Sequence, residues 1–173
     1  SALQDLPRHS CPGIDGLTPG FFLQYWDLIK EDLQQAFQMF FDSGHQPEAW
    51  GVGLIFLIPK GDLASDDISQ WRPITILNTI YKIFAKMTNI RLQPWLPQLI
   101  HSSQTSFIKE HSILDNIFTF WETTAMALKT KQDMAILLLD FEKAYDKVDW
   151  SFLEGTLLKF GFNRTWITGM ASL

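Results

Sequence analysis

The chain has 173 residues, of which 46% are hydrophobic and 14% aromatic, enough for one domain with a core of its own or a slice of a larger one, and too apolar for a disordered tail. Its longest uncharged apolar stretches, Val52 to Pro59 and Met134 to Leu139, fall far below the roughly 18 residues of a membrane span, so no membrane passage is expected. A net charge of -5 argues against strong autonomous binding of nucleic acid, while the single cysteine, Cys11, and the absence of an opening signal segment point to an intracellular chain, nuclear or cytoplasmic and not secreted.

Thr18-Pro19 suits an N-cap followed by proline at the first helical position, and Phe22, Trp26, Ile29, Leu33, Phe37 and Phe40 then recur at helical spacing until Ser43-Gly44. That aromatic stripe reads as core packing. Val52 to Pro59 predicts a strand leading to Lys60, Gly61 to Ser69 a polar loop, and Trp71 to Leu77 a second strand. Paired antiparallel, the two strands carry Lys60 and Arg72 close to each other. Pro73 has no N–H for a ladder bond, which puts the strand bearing Arg72 at an edge or distorts it there.

A helix from Thr79 to Leu92 turns Ile80, Ile83, Phe84, Met87 and Ile90 to one face, and Pro94 and Pro97 stop it. Ser112-Ile113-Leu114-Asp115 is a capping box for a further helix carrying Ile117, Phe120, Trp121 and Leu128. Met134 to Leu139 reads as a strand covered on both faces that delivers Asp140 into an exposed turn. Ser151-Phe152-Leu153-Glu154 opens a last capped helix, ending at Gly161. Helices with few strands predict an α+β fold.

An Asp at a strand end is a good metal ligand, although alone it is more often a turn or capping group. Here it stands in the run Leu139-Asp140-Phe141-Glu142-Lys143-Ala144-Tyr145-Asp146, with Lys60 and Arg72 upstream in apolar settings of their own. Asp146 lies beyond the strand and reads as a turn or cap group, and Asp149 as a solvated charge at the N-terminus of the following helix.

In order along the chain, Ser10-Cys11-Pro12-Gly13-Ile14-Asp15-Gly16-Leu17, Ile55-Phe56-Leu57-Ile58-Pro59-Lys60, Trp71-Arg72-Pro73-Ile74-Thr75-Ile76-Leu77, Tyr81-Lys82-Ile83-Phe84-Ala85-Lys86 with Arg91-Leu92, Gln104-Thr105-Ser106-Phe107-Ile108, and the Asp140 segment resemble the motifs of one family. That family is the reverse transcriptase domain of non-LTR (LINE-type) retrotransposons, and the resemblance runs from about Ser10 to the C-terminus. It implies the fingers (about 10–130) and the beginning of the palm (about 131–173) of a right-hand polymerase. By the same resemblance Asp140 is a catalytic ligand bridging two Mg²⁺ ions, and the backbone carbonyl of Phe141 completes the shell of the nucleotide-bound metal. Lys60 and Arg72 contact the triphosphate of an incoming dNTP, the first as a point charge and the second as a bidentate fork. Tyr145 resembles a steric gate against a ribose 2'-hydroxyl, and Gln104 with Phe107 resembles residues lining the template path. The partners so implied are an RNA template and a DNA primer.

Two departures qualify this. After Phe107-Ile108 the family usually shows a glycine and an arginine, where this chain has Glu110-His111. No Asp-Asp pair follows Asp140, so the chain is expected to be truncated before the catalytic Asp-Asp hairpin and inactive alone as a polymerase, with weak or no Mg²⁺ binding. The alternatives are a non-catalytic remnant that binds nucleic acid or protein, and an aspartate-based phosphatase with Asp140 as nucleophile, which usually wants a second Asp where Glu142 stands. An unpaired apolar strand also predicts poor solubility.

Overall fold

Thr18 does start a helix: its Oγ1 accepts the Phe21 amide, and Pro19 occupies the first turn, where a missing N–H costs nothing. In the computed structural model, which describes residues 2–61, 66–141 and 145–172, the expected long first helix is two. Helix α1 (Pro19–Gln24) stops at Tyr25, whose non-helical ψ of 18° makes a joint, and α2 (Trp26–Ser43) follows. The joint leaves Trp26 exposed, whereas Phe22, Leu33 and Phe40 of the predicted stripe are buried. Gly44 closes α2 at φ 71°, the left-handed region that glycine enters without a Cβ penalty, and its N–H bonds to the Phe40 carbonyl.

Strands β1 (Gly53–Pro59) and β2 (Trp71–Leu77) pair antiparallel from Gly53↔Leu77 to Pro59↔Trp71, as expected from two apolar runs joined by a polar loop. Part of the connecting loop, residues 62–65, lies outside the described residues. Helix α3 (Thr79–Leu92) has the predicted bounds and buries Thr79, Ile83 and Phe84; α4 (Leu96–Leu99) is a single turn. Helix α5 (Ile113–Thr130) starts at the Ser112–Asp115 capping box, and α6 (Trp150–Lys159) and α7 (Arg164–Ala171) complete the order.

These elements divide into two compact units, Ser1–Ile90 with Gly161–Leu173, and Arg91–Phe160. The first has two apolar clusters. Leu3, Phe22, Leu33 and Ile83 form one. Phe40, Trp50 and Phe84 form the other, with Met170 of α7 against it. Phe84 is fully buried, and its ring centroid lies 4.8 Å from that of Phe40 and 5.2 Å from that of Phe37. In the second unit α5 buries none of its residues, so Ile117, Phe120, Trp121 and Leu128 are exposed where a core face was expected. Among the described residues no helix is long and apolar enough to cross a membrane.

Two further expectations fail. Residues 132–141 form no strand, and Leu137, Leu138 and Leu139 are each about 80% exposed instead of covered on both faces. A strand exists only through a ladder, and among the described residues this segment has no ladder partner. Helix α6 is capped two residues earlier than expected: the Asp149 carboxylate accepts the Phe152 amide at 2.7 Å, and the Ser151 hydroxyl is another of its donors. Starting the helix at Asp149 puts a full negative charge at its N-terminus, where the exposed amides favour it.

Candidate functional site

In the β1–β2 hairpin, Arg72 pairs with Ile58, and the Lys60 N–H donates to the Gln70 carbonyl at 2.8 Å, extending the ladder beyond Pro59. Strand alternation therefore puts Lys60 diagonally across from Arg72 on one face. Because Lys60 and Gln70 are a hydrogen-bonded pair, Leu57↔Pro73, an odd number of pairs away, is a non-bonded one. The nitrogen of Pro73 thus faces the open edge, where its missing N–H removes nothing from the ladder.

The two cations are held differently. Lys60 Nζ donates to the Ser69 carbonyl at 2.8 Å, inside the turn that Asp67 organises. The Asp67 carboxylate accepts both the hydroxyl and the amide of Ser69, and these bonds hold its pKa below the usual value. Arg72 is exposed, and among the described residues its guanidinium has neither hydrogen-bond nor ion-pair partner. Two exposed cations at the tip of a hairpin can take up a polyanion, and the planar guanidinium can do so with two parallel bonds.

One residue that the sequence reading passed over closes the other end of this hairpin. Asn78, directly after β2, is buried, and its Nδ2 donates to the carbonyl of Ala49, in the turn leading to β1, at 2.9 Å. Its Oδ1 lies 3.5 Å from the Asp15 amide, at the outer limit of a hydrogen bond. A Cβ added to Gly13 would stand 2.6 Å from the Asn78 nitrogen, so the loop that follows Cys11 fits against Asn78 only as glycine. Thr79 Oγ1 donates to the Leu17 carbonyl and Lys82 Nζ to that of Cys11. The signal was a polar residue between an apolar strand and a helix, which a cap explains equally well.

In the second unit, Asp140, Phe141 and Tyr145 are all exposed; Tyr145 and Asp146 sit in a turn, and Glu142, Lys143 and Ala144 lie outside the described residues. Tyr145 fills no core. Among the described residues no three His, Cys, Asp or Glu side chains come together as a metal would need, so the donor set shown does not fit a two-metal centre. The loop from Gln104 to His111 is better fixed. The Thr105 hydroxyl accepts from Asn116 of α5 at 3.0 Å, the Gln104 carbonyl is 2.7 Å from His111 Nδ1, and Ile108 is buried. Phe107 is exposed and adopts φ 65°, a left-handed conformation that costs a bulky residue about 1–3 kcal/mol. Glu110 adopts φ 69°, so the position where the resembled family usually has glycine keeps a glycine-like backbone.

The sequence profile of the family described as "Reverse transcriptase (RNA-dependent DNA polymerase)" matches residues 58–172, from Ile58 in β1 through α7. This chain belongs to the reverse transcriptase family. It is 38% identical over 162 residues to the "Transposon TX1 uncharacterized 149 kDa protein" of Xenopus laevis, covering 93% of this chain and 12% of that relative. It is 28% identical over 170 residues to the "Retrovirus-related Pol polyprotein from type-1 retrotransposable element R2" of Popillia japonica, covering 95% and 22%. The "RNA-directed DNA polymerase from mobile element jockey" of Drosophila melanogaster is 25% identical over 145 residues, covering 83% and 16%. The resemblance to non-LTR retrotransposon reverse transcriptases is borne out, and the chain spans between 12% and 22% of the length of these relatives. Lys60, Arg72, Gln104, Phe107, Asp140 and Tyr145 of this reverse transcriptase chain all fall inside the matched region.

Proposed function

We propose that the chain is the fingers (about 10–130) and first palm portion (about 131–173) of an RNA-directed DNA polymerase that copies retroelement RNA into DNA inside the cell. The observation that carries this reading is the placing of Lys60 and Arg72 diagonally on one face near the tip of the hairpin, within the span matched by the family profile. Arg72 grips the triphosphate of the incoming dNTP, and Lys60 adds a point charge beside it. Gln104 and the strained, exposed Phe107 face the template, and Tyr145 discriminates against a ribose. Asp140 belongs to the chemical site, whose Mg²⁺ chemistry needs more carboxylates than the described residues bring together.

By themselves the 173 residues are therefore proposed to bind nucleic acid weakly and to extend no primer. Primer extension on an RNA template tests this, run with the 173 residues alone and with the protein as its transcript encodes it. The expected result is no extension by the first, and extension by the second that Asp140→Asn abolishes. Extension that survives Asp140→Asn would refute the role given to that residue, and metal-independent nucleic-acid binding without any extension would favour a non-catalytic binding module.

A further inference from the structure

The β1–β2 hairpin has a problem of support. Leu54, Ile55, Phe56, Leu57, Ile58 and Ile74 are all exposed, so among the described residues the middle of the ribbon rests on no core that could fix where its tip points. An isolated two-stranded ribbon is marginal in water, and a cation pair at its end is useful only if the ribbon is aimed. Its open end is the place where it can be aimed. The last pair of the ladder is Gly53↔Leu77, and the next contact outward is the side-chain bond from Asn78 to the Ala49 carbonyl.

We infer that Asn78 is a positioning residue for Lys60 and Arg72: its amide clamps the two ends of the hairpin together and ties them to the body of the first unit. Each side of the clamp is anchored. Next to Ala49, Trp50 is buried in the cluster with Phe40 and Phe84. Next to Asn78, Thr79 is fully buried and bonded to Leu17. Gly13 lets the loop of residues 10–17 close over the amide, which shields the bond from water. A buried amide with its donor used in this way resists opening, since parting the strands leaves a buried polar group unpaired. The inference rests on the proposed nucleotide role of Lys60 and Arg72 for its functional meaning; the clamp itself rests on the geometry alone.

Hydrogen exchange followed by NMR on the 173-residue chain, with a parallel titration of dTTP, separates the two. In the unaltered chain the Asn78 side-chain proton bonded to Ala49 should exchange at the same rate as the cross-strand-bonded amides of β1 and β2, because one opening releases them together. Asn78→Ala should speed exchange across β1 and β2 by about tenfold or more while the amides of Leu33 and Phe40 in α2 keep their rates, and it should weaken dTTP binding. Fast exchange of that Asn78 proton beside a protected hairpin would overturn the inference. So would an equal rise in α2, the mark of a general structural role, or unchanged dTTP affinity in Asn78→Ala where Arg72→Ala weakens it. If Arg72→Ala leaves dTTP affinity untouched while the exchange pattern holds, the clamp stands and the nucleotide reading falls.

Discussion

Arg72 and Lys60 share one face of the hairpin, but only the lysine is already bound: its ammonium donates to the Ser69 carbonyl at 2.8 Å, while the guanidinium is exposed and unpaired among the described residues. A ligand must displace an existing bond to recruit Lys60, and none to recruit Arg72.

The two cations should therefore contribute unequally. Titration with dTTP is expected to show Arg72→Ala losing about tenfold or more in affinity, as befits a charge-assisted pair worth about 1.5–3 kcal/mol. Lys60→Ala should lose less. Arg72→Lys should stay close to the alanine variant, because an ammonium cannot reproduce the two parallel bonds of the fork. Equal losses at both positions would contradict the ordering.

Phe84 carries the core of the first unit. It is fully buried and has the rings of Phe37, Phe40, Phe41 and Trp50 around it. Phe84→Ala should cost about 3–5 kcal/mol, read as a lower urea midpoint with the slope unchanged. Phe84→Leu should cost less, since it keeps most of the volume.

Helices α3 and α5 and the hairpin were legible because each carries its own punctuation, whereas α4 and α7 were not foreseen. Thr18-Pro19, Gly44 and the Ser112–Asp115 box are local signals read by the adjacent backbone, and α3 and β2 have the bounds the pattern predicts. What local pattern could not give is what the apolar surfaces touch. Met134 to Leu139 has the composition of a doubly covered strand, yet a ladder partner and two covering layers are properties of the surroundings, and among the described residues it has neither. The Tyr25 joint was invisible too: nothing in Gln24-Tyr25-Trp26 breaks a helix, yet Tyr25 leaves helical geometry between Phe22 and Leu33, which share one cluster. At the site, Lys60 and Arg72 were readable from strand pairing, whereas the role of Asn78 depends on contacts with residues 29 and 63 positions away.

Acid should act on α6 through its cap. The Ser151 hydroxyl and then the Phe152 amide, both bonded to the Asp149 carboxylate, lower its pKa below the ordinary value. Since the folded value is the lower one, the cap contributes fully above the unfolded pKa of about 3.9 and is lost as pH falls through the folded value. The Phe152 amide shift in an NMR pH titration should hold constant down to about pH 4 and move below it. Asp149→Asn retains a good capping oxygen and should flatten that dependence; a midpoint at or above the ordinary carboxylate value would show that the cap does not form in solution.

The exposed segment from Ile136 to Phe141 sets the solution behaviour of the isolated chain. Leu137, Leu138 and Leu139 follow one another with about 80% of each exposed, Phe141 beyond Asp140 is equally open, and their backbone groups make no ladder among the described residues. A contiguous apolar strip with unpaired N–H and C=O groups offers both halves of a sheet contact, apolar burial and an open hydrogen-bonding edge. Sedimentation velocity over a concentration series should therefore show self-association of the 173-residue chain. Leu138→Lys, which places a charge in the middle of the strip, should shift the distribution towards monomer. It should do so without lowering the melting temperature, because the side chain it replaces packs against nothing. A monodisperse, cooperatively melting monomer in the unaltered chain would mean that the strip finds cover within its own molecule in solution, and hydrogen exchange at Leu137 to Leu139 would then show protection where this structure leaves the amides open.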